Sequence, residues 1–179
     1  MAAEKQSLPP LASALQRWLD QEEWQDEIEI LEDGASTRLS TGFKVNDVGY
    51  RLVMETDEQR EQFFVYMYTP FEVPPRRMPE MARFLNMINS RFSAGRLACH
   101  DDDESNPVQF MWKIPVSDEG LSTIQISRMV GAAVQVYESW GHYIAQCNFT
   151  NRTAVELWDE FNAEREKAEA QNDDTLTEL

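Results

Sequence analysis

Two histidines, two cysteines and one run of consecutive acids are the residues of this 179-residue chain with the chemistry to bind a metal or catalyse a reaction. His100 precedes Asp101, Asp102, Asp103 and Glu104, and oxygen ligands at successive positions suit calcium or magnesium. An EF-hand loop, however, needs alternating acids, a central glycine and a distal glutamate, and none of these is in place. Consecutive carboxylates also point in different directions, so the run is expected to be a solvated hairpin tip that holds no metal. His142 lies in Trp140-Gly141-His142-Tyr143 near the end of a helical pattern, where a cationic side chain is favoured by the helix dipole. Capping or packing is its expected role. A catalytic site needs a base, an acid or nucleophile, and a group that stabilises charge. No nucleophile motif accompanies either histidine, and the seven glycines are scattered singly, without a phosphate-binding loop. Cys99 and Cys147 form no Cys-x-x-Cys pair and are expected to be buried thiols. The chain is therefore expected to be no enzyme and to need no cofactor.

Charge narrows the partners. With 32 acidic and 16 basic residues the formal net charge is −16, which repels phosphate backbones and anionic membranes at long range. Arg76-Arg77 is the one adjacent basic pair, and Glu72 and Glu80 flank it. Neither nucleic acid nor a membrane is expected as a partner, whereas a protein is compatible with this balance. No apolar run approaches the roughly 20 residues that span a bilayer. Met1 to Ser7 lacks the basic-then-apolar pattern of a secretory signal. A cytoplasmic location is the expectation.

The elements that must position any site are readable from periodicity. Leu11, Leu15, Trp18 and Leu19 form the stripe of a first helix, with Ser7 as its cap and the Pro9-Pro10 pair at its entry. Ile28 and Ile30 mark a first strand closed by Asp33-Gly34, and a second strand covers Thr37 to Lys44. Asn46-Asp47 turns the chain into a third strand with Val48, Tyr50, Leu52 and Met54 on one face. The fourth strand, Gln62 to Thr69, is apolar on both faces: Phe63, Val65 and Met67 on one, Phe64, Tyr66 and Tyr68 on the other. Such a strand is usually sandwiched between layers, with helices covering both sides of the sheet. The alternative is that the second face, with Met111 on the neighbouring hairpin, stays open and recognises another chain. Met81, Phe84, Leu85, Ile88 and Phe92 then stripe a central helix. Gly95 breaks it, and two strands follow, Arg96 to His100 and Val108 to Val116. Ser122-Thr123-Ile124-Gln125 and Thr153-Ala154-Val155-Glu156 have the spacing of capping boxes that open two further helices. The expected fold is α+β, an antiparallel sheet in the order α-β-β-β-β-α-β-β-α(-α). It forms one domain over residues 1–161, with residues 162–179 as an acidic, frayed tail.

Several stretches together carry a family resemblance. Phe71-Glu72-Val73-Pro74 precedes the central helix and Phe84-Leu85-Asn86-Met87-Ile88-Asn89 lies within it. Gly95-Arg96-Leu97 opens the hairpin, and Asp118-Glu119-Gly120-Leu121 leads into the long helix. With these, the span from Leu11 to Ile144 resembles the YbjN-like family, labelled sensory transduction regulators, whose fold is that of type III secretion chaperones. The matching residues describe packing and turns and contain nothing catalytic. The resemblance implies a cytoplasmic, dimeric, non-catalytic module that holds a protein or peptide client on a sheet face or edge. Phe64, Tyr66, Tyr68 and Met111 are the candidate client-binding residues. Met81, Phe84, Leu85 and Ile88 are candidates for a homodimer seam as well as core, and Arg76 and Arg77 for acid pairing at its rim. A different reading is a regulator binding a small ligand in a pocket lined by Trp112, Tyr137 and Trp140.

Overall fold

The computed structural model describes residues 8–99 and 106–176. The first helix, α1 (Pro10–Gln21), begins at a proline whose missing N–H costs nothing at that position. The next two N–H groups, of Leu11 and Ala12, are accepted by Glu58 Oε1 at 2.8 and 3.1 Å, so a carboxylate from a distant hairpin turn caps the helix. Strands β1 (Glu29–Ile30), β2 (Ser36–Val45), β3 (Val48–Asp57) and β4 (Gln62–Glu72) follow, each antiparallel to the one before. A 3-10 turn over Pro75–Arg77 leads into α2 (Met78–Asn89). Then come β5 (Arg96–Cys99), β6 (Pro107–Pro115), α3 (Thr123–Phe149) and α4 (Ala154–Leu176). The six strands form one antiparallel sheet in the order β1-β2-β3-β4-β6-β5. The expected α+β element order is therefore the observed one, and both expected capping boxes close. Ser122 pairs with Gln125, and the Thr153 hydroxyl and N–H pair with Glu156.

The main core lies on one face of the sheet. Leu39, Leu52, Met54, Phe63, Val65 and Met67 are buried there, beneath α1, α2 and α3. The α2 residues Met81, Phe84, Leu85 and Ile88 are buried in the same layer, no more than 2% exposed. On the other face Val53 is also buried, beside Tyr66. Among the described residues no helix covers this second face, contrary to the expectation of a sandwiched fourth strand. The sequence marks α4 with Val155, Leu157, Trp158 and Phe161, yet the helix runs on to Leu176 with an Arg165–Glu169 ion pair on its polar part. Its first turns are anchored by aromatic packing. Trp158 stacks on Trp140 with ring centroids 5.8 Å apart, and Arg91 lies 4.7 Å over the Trp158 ring. Ala154 N–H donates to Glu80 Oε2 at 2.7 Å, a second cap supplied from across the fold.

Where β4 leaves β6 the ladder shifts register between Tyr68 and Glu72, and side chains replace the lost backbone bonds. The buried Tyr137 hydroxyl donates to Met67 O at 2.8 Å and accepts from Phe110 N–H at 3.1 Å. Thr69 Oγ1 accepts from Val108 N–H at 3.0 Å. Removing only the phenolic oxygen strands a backbone N–H and a carbonyl without solvent. Tyr137→Phe is accordingly expected to lower unfolding stability by about 1–3 kcal/mol in urea titration.

Candidate functional site on the open sheet face

Because side chains alternate along a strand, the register specifies the composition of the uncovered face. One row runs Glu29, Arg38, Glu55, Phe64, Lys113; the next Ser40, Val53, Tyr66, Met111, Arg96; the third Gly42, Arg51, Tyr68, Gln109, Ala98. Phe64, Tyr66, Tyr68 and Met111 are each half-buried, so all four candidate binding residues sit together in the middle of an accessible face. Phe64 and Tyr66 are nearly parallel, with ring centroids 5.9 Å apart, and Tyr66 and Tyr68 are 6.2 Å apart. Arg51 lies 4.5 Å over the Tyr68 ring, and the Lys113 ammonium 5.8 Å from the Phe64 centroid. Arg38 Nε donates to Glu55 Oε1 at 2.7 Å beside this row. Beyond Tyr68 the face opens into a groove of about 610 Å³ lined by Ser40, Gly42, Arg51, Tyr68, Phe71 and Glu72, among others.

Burial is the first cause that raises the Tyr66 phenol, to about 12, with Glu55 adding to it. Burial likewise raises Tyr68, Tyr50, Tyr137 and Tyr143 above the ordinary value, so all five tyrosines favour the neutral phenol in the fold. A raised folded value means that this stabilisation is complete below the unfolded tyrosine value near 10 and is lost as pH rises through the folded one. In a titration followed at 295 nm, tyrosinate is expected to form above pH 10, with Tyr66 near pH 12, unless the fold is lost first. Circular dichroism recorded in parallel separates the two events.

The other candidate residues go elsewhere. Met81, Phe84, Leu85 and Ile88 belong to the core of the single chain, which leaves no surface of that stripe for a second copy. Arg77 donates to Cys147 O at 2.8 Å and to Arg152 O at 2.6 Å, tying the end of α3 to the start of α4 rather than lying free at a rim. His142 is exposed two turns before the end of α3 and contacts the Gln146 side chain at 2.5 Å, so it is no terminal cap. Trp112, Tyr137 and Trp140 are each spent on separate packing. Trp112 pairs across from Val65 on the core side, Tyr137 stacks on Tyr50 at 4.6 Å, and Trp140 is covered by Trp158 and Phe161. Cys147 is buried and Cys99 half-buried. Ser7 and the acidic run after His100 lie outside the described residues. Among the described residues no three His, Cys, Asp or Glu side chains are grouped to hold a metal, and no helix is long and apolar enough to cross a membrane.

Comparison with known proteins identifies the context of this fold. Residues 12–146 match the family model of YbjN, described as “Putative bacterial sensory transduction regulator”. The chain is similar to the crystal structure of YbjN from E. coli at 17% identity and a TM-score of 0.49, covering 76% of this chain and 96% of that one. It is also similar to a chain in the structure of the HopA1–SchA chaperone–effector complex, at 17% identity and a TM-score of 0.43, covering 71% of this chain and 88% of the other. No curated protein matches the sequence. The α4 segment extends past the matched residues.

Proposed function

Since the chain belongs to the YbjN family, we propose that it is a non-catalytic protein-binding module whose docking surface is the open sheet face. One observation carries this reading. Phe64, Tyr66, Tyr68 and Met111 form a continuous, half-exposed apolar patch, while Phe63, Val65 and Met67 on the opposite face of β4 are fully buried. Aromatic and methionine side chains held rigidly on a sheet bury much area against a partner at little conformational cost. Phe64 to Tyr68 keep their orientation through mutual stacking and the flanking cations, so the surface is already organised before a partner arrives. The edges offer a second mode. Strand β1 pairs with β2 at Arg38 and Thr37, and Leu31 N–H donates to Ser36 O, so among the described residues the β2 edge from Leu39 to Val45 has no paired strand and suits strand addition. Should two copies assemble, they would do so through a surface other than the buried α2 stripe.

Capture from source lysate with the tagged protein, beside a Tyr66→Asp, Tyr68→Asp variant, tests the reading. Both positions are half-exposed, so the variant is expected to keep its circular dichroism and cooperative unfolding. A stoichiometric partner held by the wild type and lost by the folded variant is the expected result. A partner retained equally by both would place the interface off this face.

A further inference from the structure

The middle of the open face carries unpaired cations on a strongly acidic chain. Lys44, Arg51, Arg96 and Lys113 project from it, all exposed, and none forms an ion pair among the described residues. The acids of the face lie mostly at its margins. Glu55 is paired with Arg38 and Asp57 with Arg60, Glu29 lies on the edge strand β1, and Glu72 lines the groove beyond Tyr68. The Tyr66 and Tyr68 rows contain no carboxylate. Resting on the docking surface proposed above, we infer that its occupant is an acidic segment of a partner protein, in which carboxylates four residues apart bracket an apolar side chain.

The spacing follows from the sheet. Arg51 on β3 and Arg96 on β5 are three inter-strand steps of about 4.8 Å apart and one row of two residues, about 6.8 Å, offset along the strands, roughly 16 Å in all. An extended segment rising about 3.4 Å per residue and laid on that diagonal covers about 14 Å of it in four residues, the long arginine side chains reaching across the rest, and with its period of two it keeps residues i, i+2 and i+4 on one side. Carboxylates at i and i+4 then meet Arg51 and Arg96, and an apolar side chain at i+2 lands on Tyr66 and Met111, which face each other between them. Arg96 is itself directly opposite Met111. The two tyrosine hydroxyls, protonated at neutral pH, are additional donors for carboxylate or carbonyl oxygens.

The ring geometry favours a peptide over a single-stranded nucleic acid. Nucleobases bind such platforms by stacking on ring faces. Here the rings face one another at 5.9 and 6.2 Å, too close for a base to slip between, and Arg51 covers the outer face of the row at Tyr68. The net charge of −16 adds long-range repulsion against a polyanion.

Fluorescence anisotropy tests the inference with a labelled nonapeptide, Asp-Ser-Leu-Ser-Asp-Ser-Leu-Ser-Asp, its lysine-for-aspartate counterpart, and a ten-residue oligothymidylate. The full-length wild type is expected to bind the aspartate peptide at least about tenfold tighter than the lysine peptide, with affinity falling as salt rises. The variant Arg51→Glu, Arg96→Glu is expected to invert that preference. A wild type that prefers the lysine peptide, or that binds neither peptide, overturns the acidic-segment inference. So does an Arg51→Glu, Arg96→Glu variant with unchanged preference. If the lysate partner is still lost by the Tyr66→Asp, Tyr68→Asp variant in those cases, the docking face itself stands. Tighter binding of the oligothymidylate would give the face to nucleic acid and overturn both readings. A dimer in sedimentation that Tyr66→Asp, Tyr68→Asp dissociates would give it to a second copy, with the same consequence for this inference.

Discussion

Phe84→Ala is expected to lower the free energy of unfolding by about 3–5 kcal/mol, and to do so at every protein concentration. Phe84 is completely buried in the layer between the sheet and α3, and its ring meets Trp140 edge-on with centroids 6.4 Å apart. Met81, Leu85 and Ile88 close around the same stripe, so the neighbours cannot collapse into the vacated space without moving the whole helix. Trp140 in turn supports Trp158 and Phe161, so the lost contact is expected to loosen α4 as well. Concentration is the informative variable. A core residue destabilises the protomer irrespective of dilution, whereas a residue at a dimer seam gives a midpoint that rises with protein concentration. Urea unfolding at concentrations spanning two decades separates these cases. A concentration-dependent midpoint would return the α2 stripe to an interface.

The second large effect belongs to the turn that launches the β5–β6 hairpin. Gly95 has φ of +70°, a region where a side chain costs about 1–2 kcal/mol. A Cβ there would also lie 2.4 Å from Phe110 Cζ and 2.7 Å from Cε2. The Phe110 ring is fully buried and packed edge-on against Phe92 at 6.2 Å, so it must shift to admit the methyl group. Adding overpacking to the backbone strain, Gly95→Ala is expected to cost roughly 3–4 kcal/mol. The damage should centre on the hairpin that carries Arg96 and Met111, and so weaken the docking face together with the fold. Thermal unfolding checks the size of the effect. A variant as stable as the wild type would mean that the turn can adopt another conformation.

These positions also mark what periodicity can and cannot disclose. The α2 stripe, the break at Gly95 and the alternation of β4 are local patterns, and each element lies where its pattern puts it. The two apolar faces of β4 are equally plain in sequence, but which of them the helices cover is not. That depends on α1, α2 and α3 all crossing the same side, a property of the chain's path and not of any one segment. The caps donated by Glu58 to α1 and by Glu80 to α4 escape for the same reason, since each lies far along the chain from the helix it serves. Most hidden of all is the charge of the open face. Lys44, Arg51, Arg96 and Lys113 are dispersed among acids in sequence, and only strand register puts them on the face that carries Tyr66. Net charge alone therefore described the molecule while missing the unpaired cations of this face. The long reach of α4 escapes because its last turns present no apolar stripe.

The docking claim is tested most directly by placing a photo-crosslinking amino acid at Tyr66 and, separately, at Ile124, which is 64% exposed at the start of α3. Illumination in source cells is expected to join a single protein species to the Tyr66 position and not to the Ile124 position. Crosslinks to that species from Ile124, with none from Tyr66, would contradict the account.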